Sequence, residues 1–179
     1  MKVIRYLSII SAIVVLSAFT LLNTASWEIQ KGYAIKFSGS KVSGEFTKFY
    51  GTIDFDTDTL ANAKFDLTID VKSISTGNGL MNEHAIGEDW FNAEKYPDIK
   101  FVSSRFSKTT GGFQVTGKLT MHGVTKEITI PFNFSNNTFT SRFEVNRGDY
   151  NVGGTSGMQG WVAPTLQIEV SVPVKQKDK

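Results

Sequence analysis

The stretch Gly112–Phe132, GFQVTGKLTMHGVTKEITIPF, decides how this chain folds. A two-residue turn at His122–Gly123 sets Met121 opposite Val124. Stepping away from the turn, Leu119 faces Lys126, Gly117 faces Ile128, Val115 faces Ile130 and Phe113 faces Phe132. Nearly every pair joins apolar with apolar, and a slip of one residue would turn each apolar set to the other face. Gly123 supplies the positive φ that such turns need, and histidine tolerates the left-handed region better than most residues. The stretch predicts an antiparallel hairpin in which His122 is a turn residue.

The same period of two recurs on both sides of the hairpin. Ala63, Phe65, Leu67, Ile69 and Val71 alternate with polar residues, and so do Leu166, Ile168, Val170, Val172 and Val174. Val42, Gly44 and Phe46 share one parity while Phe49, Gly51, Ile53 and Phe55 share the other, which predicts a bulge near Thr47–Lys48. Weaker segments run near Trp27–Phe37, Ile99–Phe106 and Phe139–Arg147. The pattern predicts eight or so antiparallel strands with short connections, an up-and-down barrel or a sandwich. An eight-stranded barrel is either filled by its own side chains or holds one small ligand, and periodicity does not separate the two.

The rhythm breaks at Glu83–Phe101, EHAIGEDWFNAEKYPDIKF. Met81, His84 and Ala85 fall at i, i+3 and i+4, so a short helix here turns one face inward, with Gly87 as its stop. Trp90 and Phe91 add large apolar area, and Tyr96–Pro97 returns the chain to a strand at Ile99. The insert is expected to plug one barrel end or to line its portal.

At the N-terminus Lys2 and Arg5 precede an uncharged run, Tyr6–Trp27, that ends in small residues. That order predicts a secretory signal peptide over residues 1–26, or an uncleaved anchor, ahead of a barrel domain over 27–179. Setting Lys2 and Arg5 aside from the 19 basic residues leaves 17 against 17 acidic ones. A neutral chain of this kind lacks the dense basic face that nucleic acid requires. The chain has no cysteine, which excludes disulfides, thiolate metal sites and lipidated cysteine. An exported fold without staples must be held by its core.

Catalytic patterns fail on inspection. Gly112–Leu119 has the glycine and lysine spacing of a phosphate loop, but Leu119 stands where Ser or Thr must bind magnesium. Gly153–Gly160, GGTSGMQG, lacks nucleophile-elbow spacing, and the Arg-Gly-Asp triplet at 147–149 reads as a strand end. Two histidines without cysteine offer little to a transition metal. No catalytic residue, metal or cofactor is assigned.

Three stretches carry a resemblance: SISTGNGLMNEHAIGEDWFNAEKYPDIKF (73–101), GKLTMHGVTKEITIPF (117–132) and VNRGDYNVG (145–153). Together with GEFTKFYGTIDFD and their order along the chain, they resemble the YceI-like, polyisoprenoid-binding proteins. The resemblance implies a mainly β, lipocalin-like antiparallel barrel with a hydrophobic tunnel, in a bacterial periplasmic or secreted protein. It implies a polyisoprenoid or other amphiphilic lipid as partner, with membrane contact for ligand exchange. A homodimer stays open. WEIQKGYAIKF lacks the His-Ser pair that the family often carries after its first tryptophan.

A long apolar ligand needs a concave apolar site with a few polar groups to orient one end. The inward-facing candidates are Phe46, Phe55, Phe65, Leu67, Ile69, Phe101, Phe132 and Phe143, each of which equally suits a filled core. From the insert come Met81, His84, Trp90, Phe91 and Tyr96. Arg147 continues the parity of Phe143 and Val145, so its guanidinium either meets a phosphate or quinone oxygen at a tunnel mouth, pairs with Asp149 or emerges into solvent. Trp161 and Met158 belong either to a gate or to a plain surface loop. Two alternatives stand beside the binding protein: a lipid-modifying enzyme using His84 with Glu83, Glu88 or Asp89, and a structural barrel with a filled core.

Overall fold

The computed structural model describes residues 24–154 and 160–178. Eleven strand segments carry the fold: β1 (Ser26–Ile29), β2 (Ala34–Gly39), β3 (Val42–Phe46), β4 (Phe49–Asp54), β5 (Lys64–Asp70), β6 (Ile74–Ser75), β7 (Asp98–Thr109), β8 (Gly112–Met121), β9 (Val124–Ser135), β10 (Thr138–Asn146) and β11 (Thr165–Gln176). The single α-helix among the described residues, α1, spans Gly79–Ile86.

Three pairs of segments are halves of one stave. β11 pairs with β2 over Gln167–Ser171 and then with β1 over Val174–Gln176. β3 pairs with β2, and β4 with β1. β4 pairs with β5, while β3 pairs with β6. Joining β1 to β2, β3 to β4 and β5 to β6 gives a closed barrel of eight antiparallel staves in sequence order. Closure removes the two edges of an open sheet, except along the seam where β9 and β10 part.

The three composite staves break at one level. A left-handed glycine turn at Lys31–Gly32 separates β1 from β2, Thr47–Lys48 separate β3 from β4, and a 3-10 turn at Val71–Ser73 separates β5 from β6. The expected bulge is one of these three. Tyr33 ties the level together, its hydroxyl donating to the Thr47 carbonyl at 2.8 Å and accepting from the Phe49 N–H at 3.2 Å. Thr47 N–H in turn donates to the Ser73 carbonyl at 3.1 Å.

The β8–β9 hairpin has the predicted register from Met121↔Val124 to Phe113↔Phe132. His122 (φ 50°) and Gly123 (φ 77°) are both left-handed, as a two-residue turn matching strand twist requires. A Cβ on Gly123 would also lie 2.7 Å from the Tyr96 ring, which packs edge-on against His122 at 4.7 Å. On its other side β9 pairs with β10 only from Ser135 to Asn133. Beyond that Pro131 has no N–H to offer, and the Ser141 hydroxyl bonds its carbonyl at 2.6 Å.

The two ends of the barrel differ in filling. At the end holding Trp27 and the Asn136–Asn137 turn, the core is aromatic. Phe55 is 0% exposed and lies 5.2–6.2 Å from the rings of Phe65, Phe106, Phe113, Phe132, Phe134 and Phe139. The Trp27 indole N–H donates to the Phe55 carbonyl at 2.8 Å and Phe55 N–H to Ala25 at 2.9 Å, so backbone polar groups are satisfied as the chain crosses this floor. The opposite end carries the β2–β3 turn, α1 and the segment between β10 and β11.

Candidate functional site

The site is built at this opposite end. Helix α1 begins at Asn78, whose side chain accepts the Met81 N–H at 3.1 Å, and stops at Gly87, as the sequence predicts. Asn82 fixes its orientation: Oδ1 accepts from the Thr76 N–H at 2.8 Å and from its hydroxyl at 2.7 Å. The chain then folds back on the helix through Phe91 N–H to the Ala85 carbonyl (3.0 Å) and Ala93 N–H to Ile86 (2.9 Å). This hairpin places Phe91 edge-on to Phe46 at 6.0 Å and brings Trp90 over the barrel opening.

Arg147 organises the other side. It sits in the 3-10 turn after β10 and is only 5% exposed. Nη1 donates to the carbonyls of Val152 (2.8 Å) and Gly154 (3.2 Å), Nη2 to Val162 (2.9 Å) and Nε to Ala163 (3.2 Å). The guanidinium also lies 5.1 Å from the Trp90 ring. Gly153 is left-handed (φ 66°), and a Cβ there would stand 2.7 Å from Trp90 and 2.9 Å from Nη1. Burial pushes the Arg147 pKa down from its ordinary value. Asp149 instead pairs with Lys126 at 3.1 Å. Arg147 therefore clasps the segment leading into β11 while still bordering the outer cavity.

Between these walls lies a cavity of about 360 Å³. A second, of about 150 Å³, continues into the barrel, and Ile35, Ile69, Ile99, Leu119, Phe143 and Ile168 line both. Sharing these residues, the two chambers adjoin along one apolar channel axis, and the inner one reaches Phe65, Phe132 and Phe139 at the phenylalanine floor. At the seam where β9 and β10 part, Thr140 and Ser141 border the inner chamber. The exposed lining residues Lys41, Met81, His84 and Trp161, from the β2–β3 turn, α1 and the segment before β11, mark the mouth. Lys41 Nζ stands 4.7 Å over the Trp161 ring.

The structure brings most of the sequence candidates to this channel. Phe46, Ile69, Met81, His84, Trp90, Phe91, Phe143, Arg147 and Trp161 border the outer chamber; Phe65, Leu67, Phe101 and Phe132 border the inner one. Phe55 and Tyr96 lie elsewhere. Phe55 is the centre of the floor, and Tyr96 packs behind the β8–β9 turn against His122. Met158 and residues 1–23 of the predicted leader lie outside the described residues. Sequence reading saw the β11 alternation but did not name Leu166 and Ile168, whose cross-strand partners are Val145 and Phe143, among the lining candidates. That alternation is as clean as the one that picks out Leu67 and Ile69 on β5.

A YceI-like domain matches residues 22–174 of the chain. The chain belongs to the YceI-like family. A solved YceI-like neighbour, BcnA of Burkholderia cenocepacia, superposes with a TM-score of 0.75 at 31% identity, covering 83% of this chain and 99% of that one. A UPF0312 protein of Photorhabdus laumondii is 38% identical over 98 residues, 54% of this chain and 51% of its own length, so the match spans about half of that relative. A polyisoprenoid binding domain from Saccharophagus degradans, implicated in plant cell wall breakdown, shares the fold with a TM-score of 0.62 at 15% identity, over 86% of this chain and 99% of that one. The YceI-like barrel here is thus closed and aromatic at one end and hollow at the other.

Proposed function

We propose that this YceI-like chain is an exported carrier that holds a long apolar ligand in its channel. The ligand class is a polyisoprenoid, an isoprenoid quinone or a similar lipid, taken from and returned to a membrane. The observation that carries this reading is the adjoining pair of chambers, lined mainly by apolar side chains and bordered at the inner end by Phe65, Phe132 and Phe139. The polyisoprenoid-binding neighbour of the same fold supports the ligand class. The leader-like first 26 residues support export to the periplasm or beyond.

Burial of an apolar chain contributes about 0.8 kcal/mol per methylene. A ligand of some 20 carbons thus offsets association and ordering costs of about 4–15 kcal/mol without a charged contact. Such a site suits retention, since it offers few polar groups to distort or protonate a substrate. His84 lies exposed on the rim, which weighs against a buried general base there.

Solvent extraction of the purified protein followed by mass spectrometry tests the proposal, alongside titration with prenols and quinones. A co-purifying long-chain lipid and saturable binding are expected. A ligand at 100 times its Kd should raise stability by about 2.7 kcal/mol, read as a shift in thermal midpoint. Finding neither bound lipid nor saturable binding would overturn the proposal.

A further inference from the structure

Five large apolar side chains stand exposed among the described residues, and three of them gather at one place. Met81 (40% exposed) and Trp161 (69%) stand at the channel mouth with Leu80 (63%) beside Met81 on α1, whereas Tyr50 and Val102 stand on β4 and β7. Met81 and Trp161 are also lining residues; Leu80, next to Met81 on α1, is not. An apolar rim continuous with an apolar opening marks a contact surface, where singly scattered apolar residues do not. Its chemistry is that of a bilayer interface. Tryptophan favours the headgroup level, and lysine lays its stem along apolar surface while its ammonium reaches phosphate. Lys41, held over Trp161, is placed for that role.

We infer that Leu80, Met81, Trp161 and Lys41 dock the barrel on a phospholipid bilayer with the channel mouth against the hydrocarbon. This rests on the carrier reading, and it supplies what a carrier needs: a route by which the ligand passes from membrane to channel without crossing water. The opening would be sealed by a second copy or a folded partner seated on the same rim, whereas a lipid surface is continuous with what the channel holds. Glu83 and Glu88 are exposed on the same insert, so apolar insertion carries the docking and anionic lipid adds an increment through Lys41.

The test uses the protein as exported by the cell, with phosphatidylcholine vesicles and with vesicles also containing phosphatidylglycerol. Leu80→Asn should lower partitioning to both about tenfold, the side chain being solvent-exposed so that the fold is kept. Lys41→Glu should lower it only for the phosphatidylglycerol vesicles, by about fivefold or more. Ubiquinone transfer from vesicles should slow in Leu80→Asn, while binding of the same quinone presented in detergent stays at the parent level. Parent-like vesicle partitioning in Leu80→Asn overturns the docking surface even if detergent-presented quinone binds. Absent binding in detergent by the parent overturns the carrier reading instead. If Leu80→Asn abolishes a concentration-dependent dimer and leaves vesicle partitioning unchanged, the rim is a self-association face and the bilayer inference fails.

Discussion

Arg147 shows how much one residue can reveal and conceal. A cation on an apolar parity near a strand end signals burial, and the residue is buried. Its partners, however, include backbone carbonyls on two arms of the segment after β10, and carbonyls have no sequence signature. Lysine would be a poor replacement, because three donors on one atom cannot span a set that a planar fork meets. Arg147→Lys should cost about 2–4 kcal/mol in urea unfolding, since buried carbonyls lose their donors. Amide exchange should accelerate most over residues 152–154 and 160–163. Tyr150, three residues on, carries a pH dependence. Desolvation by burial, then the Asp149 carboxylate, raises its pKa. A raised acid binds its proton more tightly folded than unfolded, so its contribution is full below the unfolded value of about 10 and is lost as pH rises through the folded one. Thermal midpoints should therefore fall more steeply above pH 10 in the parent than in Tyr150→Phe.

At the scale of elements, legibility follows locality. The β8–β9 hairpin was readable residue by residue because turn chemistry and cross-strand pairing lie within one stretch of chain. The short helix was readable for the same reason: the spacing of Met81, His84 and Ala85 and the stop at Gly87 are local. What sequence did not give is the shared level at which three staves break, since Gln30–Tyr33, Thr47–Lys48 and Val71–Ser73 meet only through pairing across the barrel. Helix α1 depends on a contact of intermediate range, the two bonds from Thr76 to Asn82. Asn82→Ala should free the helix without unfolding the barrel, because none of the α1 residues is fully buried. Amide exchange in residues 76–86 should rise while β8 keeps its protection, and bound lipid should leave several-fold faster. Unchanged release would show that α1 does not control the mouth.

Across the whole molecule, inward parity tells which face a side chain takes but not its height along the barrel. Phe55 and Phe143 were indistinguishable on that criterion, yet one centres the floor and the other borders both chambers. The hollow half forgoes packing that a filled barrel would have, so the closed half must carry the stability. Phe55→Ala removes a ring surrounded by six others and should cost about 3–5 kcal/mol. The complementary change acts on the hollow half. Ile168 stands at the junction of the two chambers, opposite Phe143 on the neighbouring stave. Ile168→Phe fills space that is otherwise empty, so it should leave unfolding free energy within about 1.5 kcal/mol of the parent, or raise it. It should nevertheless divide the channel. A graded series of prenols then reads the geometry directly: short chains that fit the outer chamber should bind as before, and chains that need the inner one should lose affinity in proportion to the methylenes left outside, about 0.8 kcal/mol each. Equal loss across the series would mean that the ligand does not thread the junction.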